Sequence, residues 1–181
     1  KNFDNHLIRR ISYKEANEFI LRYEWLGSIG SSKYHFGLFF NDILSCVVCY
    51  SSPISPTIYS KMLNLKNNEV LQLSRGASTY WAPKWSASKL ISHSNNYLRN
   101  SYNVKAIVAY ADPIAGELGT IYQASNFIYL GLTNPGGAKM YKINGKLYHP
   151  RKVHKVFGTR KKETLVKIDP RYKTYEIHSK H

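Results

Sequence analysis

Residues 104–110 are apolar almost throughout and stop at Asp112-Pro113. A strand without polar alternation is covered on both faces, so this one reads as lying in the middle of a sheet with helices packed around it. The rest of the chain has to supply that cover. Residues 6–11 read as a strand. Ser12, with Glu15 three residues on, makes a capping box, and Ala16, Phe19, Ile20 and Tyr23 follow at helical spacing. That helix should stop near Trp25, ahead of Gly27 and Gly30. Residues 34–40 and 43–50 read as a hairpin, because Asn41 and Asp42 both tolerate positive φ. A loop follows Pro53 and Pro56 as far as Asn68, then a strand over 70–74. Residues 79–88 form a loop running into a helix whose apolar face carries Leu90, Ile91 and Leu98. A short helix over 117–125 and a strand over 127–130 precede the breaker Asn134-Pro135-Gly136-Gly137. A last hairpin over 142–148 turns on Asn144-Gly145. This order, with hairpins first and crossovers later, is that of a mixed α/β sheet.

Charge narrows the partner. The 181 residues carry a net charge of +15. From Ala138 onward thirteen Lys or Arg stand against Glu163, Asp169 and Glu176 alone, which places ten of the fifteen charges at the C-terminal end. Such an excess suits a polyanion, since each cation set against a phosphate releases a condensed counterion. An acidic protein or an anionic membrane surface would answer the same charge. No apolar run of about 18 residues exists, so no spanning helix is expected. The start has no signal-type apolar region, and the expected location is cytoplasmic.

Cys46 and Cys49 invite a redox or zinc reading. Residues three apart on a strand point to opposite faces, and no second Cys pair or close His pair completes a site. They are expected to be two buried strand residues, and no metal ligand is assigned.

The block from Leu73 to Gly131 carries the chemistry. It holds Leu73-Ser74-Arg75, then Trp81-Ala82-Pro83-Lys84-Trp85-Ser86-Ala87-Ser88, then Tyr110-Ala111-Asp112-Pro113. Gly116-Glu117-Leu118-Gly119-Thr120-Ile121-Tyr122-Gln123-Ala124 and Asn126-Phe127-Ile128-Tyr129-Leu130-Gly131 close it. Free amides at the start of the helix near Ser86, with the Ser86 and Ser88 hydroxyls and Lys84, would form an anion site. The same serines equally suit an ordinary N-cap. Arg75, just past a strand end, could clamp a phosphate or carboxylate. Asp112, at the end of the apolar strand, lies where open α/β sheets put their sites, though Asp-Pro is also a good turn. Tyr122 could orient or protonate a reacting group. Trp25, Tyr80, Trp81 and Trp85 are polar-flanked aromatics, of which one or two could stack on an exposed base.

These separated motifs, in this order, resemble the Mom family of phage DNA-modification proteins; Leu147-Tyr148-His149-Pro150-Arg151 in the basic region extends the likeness. The resemblance implies an acyltransferase-like α/β fold of the GNAT type, with a transferase domain over residues 1–160. A basic tail over 161–181 would pack on that domain or extend it. It implies a transferase that converts the exocyclic nitrogen of adenine in duplex DNA to a carbamoylmethyl form, shielding phage DNA from restriction. Asp112, Tyr122 and Glu24 are then the candidate catalytic residues, and Arg75, Lys84, Ser86 and Ser88 the donor-binding ones. Trp25, Trp81, Trp85, His149, Arg151 and Lys152 are the candidate DNA contacts. Glu24-Trp25 stands where the family has a His-Tyr pair, so Glu24 is either a substitute for that His or a solvated helix end. Acetyl-coenzyme A or a related donor is implied, although the loop lacks the glycine-rich spacing usual for the fold. The residues give iron no support. Two other functions fit the same charge: an acetyl-coenzyme A-dependent N-acetyltransferase on another substrate, and a non-catalytic basic DNA-binding protein.

Overall fold

A computed structural model of the chain describes residues 5–24, 27–112, 116–131 and 138–177. They form two compact units, one of residues 1–111 and 119–128, the other of residues 112–118 and 129–181.

The first unit is built on a five-stranded sheet. Its strands are β1 (His6–Arg10), β2 (Tyr34–Phe40), β3 (Ile43–Ser51), β4 (Val70–Ser78) and β5 (Ala106–Ala109), in that spatial order. Strands β1 to β4 pair antiparallel, and β5 pairs parallel to β4. The helices are α1 (Tyr13–Tyr23), α2 (Pro56–Leu63), α3 (Ser86–Tyr102) and α4 (Thr120–Gln123). The capping box is present. The Ser12 hydroxyl accepts from the Glu15 amide at 3.2 Å, and the Glu15 carboxylate accepts from the Ser12 amide at 2.7 Å. These bonds and the guanidinium of Arg9 hold the Glu15 carboxyl below the usual carboxylate range. Asn41 and Asp42 take positive φ in the β2–β3 turn.

Both faces of the sheet are covered. On one, Cys46, Val48 and Tyr50 of β3 pack with Phe36, Leu38 and Leu71 against Leu90, Ile91 and Leu98 of α3. On the other, Val47 and Cys49 pack with Phe39 against Ala16, Phe19 and Ile20 of α1. Each fully buried aliphatic side chain contributes about 1.5–3 kcal/mol. The two cysteines therefore belong to different cores. Burial pushes the Cys46 thiol up to about 11 and the Cys49 thiol up to about 12. Neither thiol should react with maleimide at pH 8 until the protein is unfolded. A Cys labelled rapidly in the folded state would contradict this packing.

Several elements differ from the sequence reading. Strand β5 is an edge strand in the described sheet, not a middle one. It is shorter than expected, and its residues are only half-buried, because β4 alone borders it. Strand β4 runs on to Ser78, so Arg75 lies within it and not past its end. Residues 127–130 form no strand; Phe127 turns its ring onto Tyr122 while Ile128, Tyr129 and Leu130 are exposed. The helix expected over 117–125 is limited to α4, since Gly119 takes φ +71 at its start. Helix α2 forms where a loop was expected, with Pro56 as its first residue, a position where a missing amide costs nothing.

The second unit holds β6 (Ala138–Ile143), β7 (Lys146–Tyr148), α5 (Pro150–Phe157), α6 (Lys162–Ile168) and β8 (Lys173–Ile177). Its sheet is antiparallel in the order β7-β6-β8. Asn144 and Gly145 both take positive φ, the primed turn that their sequence favours. Tyr141 and Ile143 pack with Val153 of α5 and Leu165 of α6 into a small core. The buried Asp169 carboxylate accepts from the Asn144 amide at 2.7 Å and the Arg171 amide at 2.9 Å. These two bonds hold its carboxyl below the usual carboxylate range. The stability they add is thus present above that range and lost as the pH falls through the lowered value.

Candidate active site

In the first unit, β5 ends opposite Leu73 while β4 continues to Ser78. From Ser74 to Ser78 the β5 side of β4 is therefore without a strand neighbour among the described residues. The chain then enters a pinned loop. Thr79 donates its amide to the Ser45 carbonyl at 2.9 Å, Ala82 donates to Thr79, and Ser86 donates to the Pro83 carbonyl at 2.9 Å. Helix α3 starts at this point with Trp85 as its N-cap, which has no side-chain capping bond. Neither serine caps the helix. Ser88 donates its hydroxyl back to the Trp85 carbonyl at 3.0 Å. Ser86 is fully buried, and its hydroxyl has no hydrogen-bond partner among the described residues.

A first helical turn has no intrahelical acceptors for its amides, and its dipole favours an anion. With an orphaned hydroxyl at the same turn and Lys84 exposed just before it, the local chemistry is that of an anion receptor. Because the Ser86 hydroxyl satisfies nothing, Ser86→Ala should leave the unfolding free energy unchanged or slightly raised. Urea titration of both proteins checks this, and a loss above about 1 kcal/mol would assign the hydroxyl a structural bond instead.

The other candidates of this unit are more engaged. Arg75 donates through Nε to the Ser28 carbonyl at 2.6 Å and through Nη1 to the Ser74 carbonyl. Tyr122 donates its hydroxyl to the Tyr110 carbonyl at 3.2 Å, at the end of β5, and its ring joins the α3 core. Glu24 is the C-cap of α1, its amide bonded to the Ile20 carbonyl at 2.9 Å. Trp85 is held by the rings of His6 and Phe40 at 5.5 and 5.7 Å, with the Lys89 ammonium 4.9 Å over its face. Tyr80 and Trp81 are 95% and 41% exposed and are the most open of the described candidate stacking aromatics, ahead of Trp85 at 37%. Trp25 lies outside the described residues.

In the second unit a carboxylate and an imidazole come together. Asp112 Oδ2 lies 3.4 Å from His149 Nε2, and both side chains are largely buried. The Asp112 backbone is clamped by Glu117, which accepts from the Asp112 amide at 2.8 Å and donates its own amide to the Asp112 carbonyl at 3.0 Å. His149 sits at the start of α5, where its carbonyl accepts from Lys152 and Val153. Lys152 is exposed on that helix; the side chain of Arg151 lies outside the described residues. A carboxylate so placed fixes the orientation of an imidazole and stabilises it when it gains a proton. Sequence reading assigned His149 to phosphate contact and gave Glu117, placed at the start of a short helix, no role in the site. The signal for Glu117 was its acidic side chain just past Gly116, five residues beyond Asp112.

Among the described residues no three of His, Cys, Asp and Glu gather so as to hold a metal ion, and no helix is long and apolar enough to cross a membrane.

Comparison with known proteins adds three findings. Residues 5–181 match the Mom protein family. The methylcarbamoylase Mom of Escherichia phage Mu is 28% identical over 123 residues, 67% of this chain and 50% of that protein, so the chain spans about half the length of this relative. A possible acetyltransferase from Clostridium difficile 630 superposes with a TM-score of 0.50 at 10% identity, over 72% of this chain and 95% of that one. The last likeness is one of fold: the mixed sheet flanked by helices is of the GNAT acetyltransferase type.

Proposed function

The chain belongs to the Mom protein family, and on that premise we propose that it transfers a carbamoylmethyl group to the exocyclic nitrogen of adenine in duplex DNA. The transferred group follows from its relative in phage Mu, a methylcarbamoylase, and the adenine substrate from the family resemblance of the motif block. The observation that carries the catalytic part is the pair of Asp112 and His149. As the exocyclic nitrogen bonds to the methylene carbon of the transferred group, the bond from that carbon to the donor's leaving group breaks and the nitrogen gives up a proton. His149 takes that proton, and Asp112 orients the ring and stabilises the imidazolium. Asp112 is thus a positioning residue for His149.

A donor related to coenzyme A would be held in the first unit. Ser86, with its orphaned hydroxyl, and exposed Lys84 at the α3 start would hold its diphosphate, and the open side of β4 from Ser74 to Ser78 would border the rest of it. Because the product joins a methylene and not a carbonyl to nitrogen, such a donor would supply a carbamoylmethyl carbon carried on a leaving group, not an acyl group for direct transfer. The Arg75 guanidinium, occupied by two backbone carbonyls, keeps this part of β4 in place. In the first unit the exposed rings of Tyr80 and Trp81 offer stacking surface to an unpaired base.

Modification of this kind makes DNA resistant to restriction enzymes that read adenine at the modified position. Plasmid recovered from bacteria expressing the chain should resist such enzymes and remain sensitive to those whose sites lack adenine. Uniform sensitivity, with soluble protein in the cell, would refute the reading.

A further inference from the structure

Resting on the reading of the chain as a DNA modifier, we propose that the face of the β7-β6-β8 sheet turned away from α5 and α6 seats the phosphate backbone of duplex DNA. Antiparallel pairing fixes which residues share a face. Tyr141 pairs with Tyr148 and Thr174, and Tyr141 and Ile143 point into the core with Val153 of α5 and Leu165 of α6. The alternate residues point the other way. Lys142 stands between Leu147 of β7 and Lys173 of β8, so these three form one row across the sheet. Met140 and Tyr175 form the next row on that face.

The row sets two lysines side by side on the same face. Residues directly opposite in an antiparallel pair have Cβ atoms about 4.5–5.5 Å apart, and like charges in that place repel. Lys142 and Lys173 are both exposed, and neither has an ion-pair partner among the described residues. No acidic residue occupies any register position of this face. Folding alone gains nothing from such an arrangement, whereas a polyanion relieves it. Two ammonium groups on one face answer phosphates of one strand. Tyr175 and Leu147, 41% and 52% exposed, offer apolar surface to the deoxyribose between them. Met140, beside Tyr175, is buried, so the open part of the face is the row of Leu147, Lys142 and Lys173 with Tyr175 next to it. The face is a grip made of strands, distinct from the basic helix α5 and from the Asp112–His149 pair.

The test uses the full chain and a duplex oligonucleotide, with affinity measured over a range of salt. Each phosphate contact contributes about 0.9 to the slope of log K against log salt. K142Q/K173Q should lower that slope by about two and weaken binding alike on unrelated sequences, with an unchanged or raised melting temperature. The control K14Q/K33Q removes the same charge from exposed positions of the first unit and should leave the slope unchanged. K142R/K173R should retain the parent slope. An unchanged slope in K142Q/K173Q, or equal losses in both glutamine pairs, would overturn the proposal. Should K142Q/K173Q not fold, each single substitution should lower the slope by about one. Adenine modification by the parent is measured in the same samples. A parent that modifies adenine while the slope stays fixed removes the face and leaves the functional reading. A parent that modifies nothing while the slope falls removes the reading and supports the face.

Discussion

Asp112→Asn should lower the single-turnover rate of adenine modification by about 10²- to 10⁴-fold while duplex DNA binds no more weakly than to the parent. That range is what a positioned proton acceptor contributes. The substitution keeps the backbone clamp to Glu117, because the bonds at 2.8 and 3.0 Å use the Asp112 amide and carbonyl. It removes only the charge that orients His149 from 3.4 Å. His149→Gln should cost a similar factor. The double variant should lose little beyond either single one, since the two side chains act as a unit. Full activity in His149→Gln would end the assignment, and so would losses that multiply in the double variant.

The second large effect concerns folding. Ile143 is fully buried in β6, the central strand of its sheet, in a core of few side chains. Ile143→Ala removes three carbons from that core and should cost about 2–5 kcal/mol, read by urea unfolding and by faster amide exchange in β6, β7 and β8. Leu147→Ala, on the exposed side of the same sheet, should change stability by no more than about 0.5 kcal/mol. Similar costs for the two would mean that the sheet faces are assigned the wrong way round.

Much of the fold could be read from the residues. The Ser12 capping box, the Asn41-Asp42 and Asn144-Gly145 turns and the opposite facing of Cys46 and Cys49 are set by local geometry, and local geometry is written in short stretches of chain. What escaped reading depends on distant partners. An apolar strand looks the same whether one neighbour or two border it, so β5 was expected in the middle of the sheet and lies at its edge. Residues 127–130 have strand-like composition, yet no strand forms there. In the basic C-terminal region, charge hides the helical spacing of Val153 and Phe157 in α5 and the burial of Leu165 in α6. The site shows the same division. Ser86 and Asp112 stand out by their motifs. The partnership of Asp112 with His149 spans 37 positions, and nothing in the sequence near either residue reports it.

The central claim is that adenine in duplex DNA leaves this protein carrying a carbamoylmethyl group, and the most direct measurement is the mass of the nucleosides. DNA from bacteria expressing the chain, digested to nucleosides, should contain a deoxyadenosine heavier by one carbamoylmethyl group in place of a hydrogen. DNA from cells expressing Asp112→Asn should contain almost none. Unmodified deoxyadenosine alone, from cells holding folded parent protein, would contradict the account.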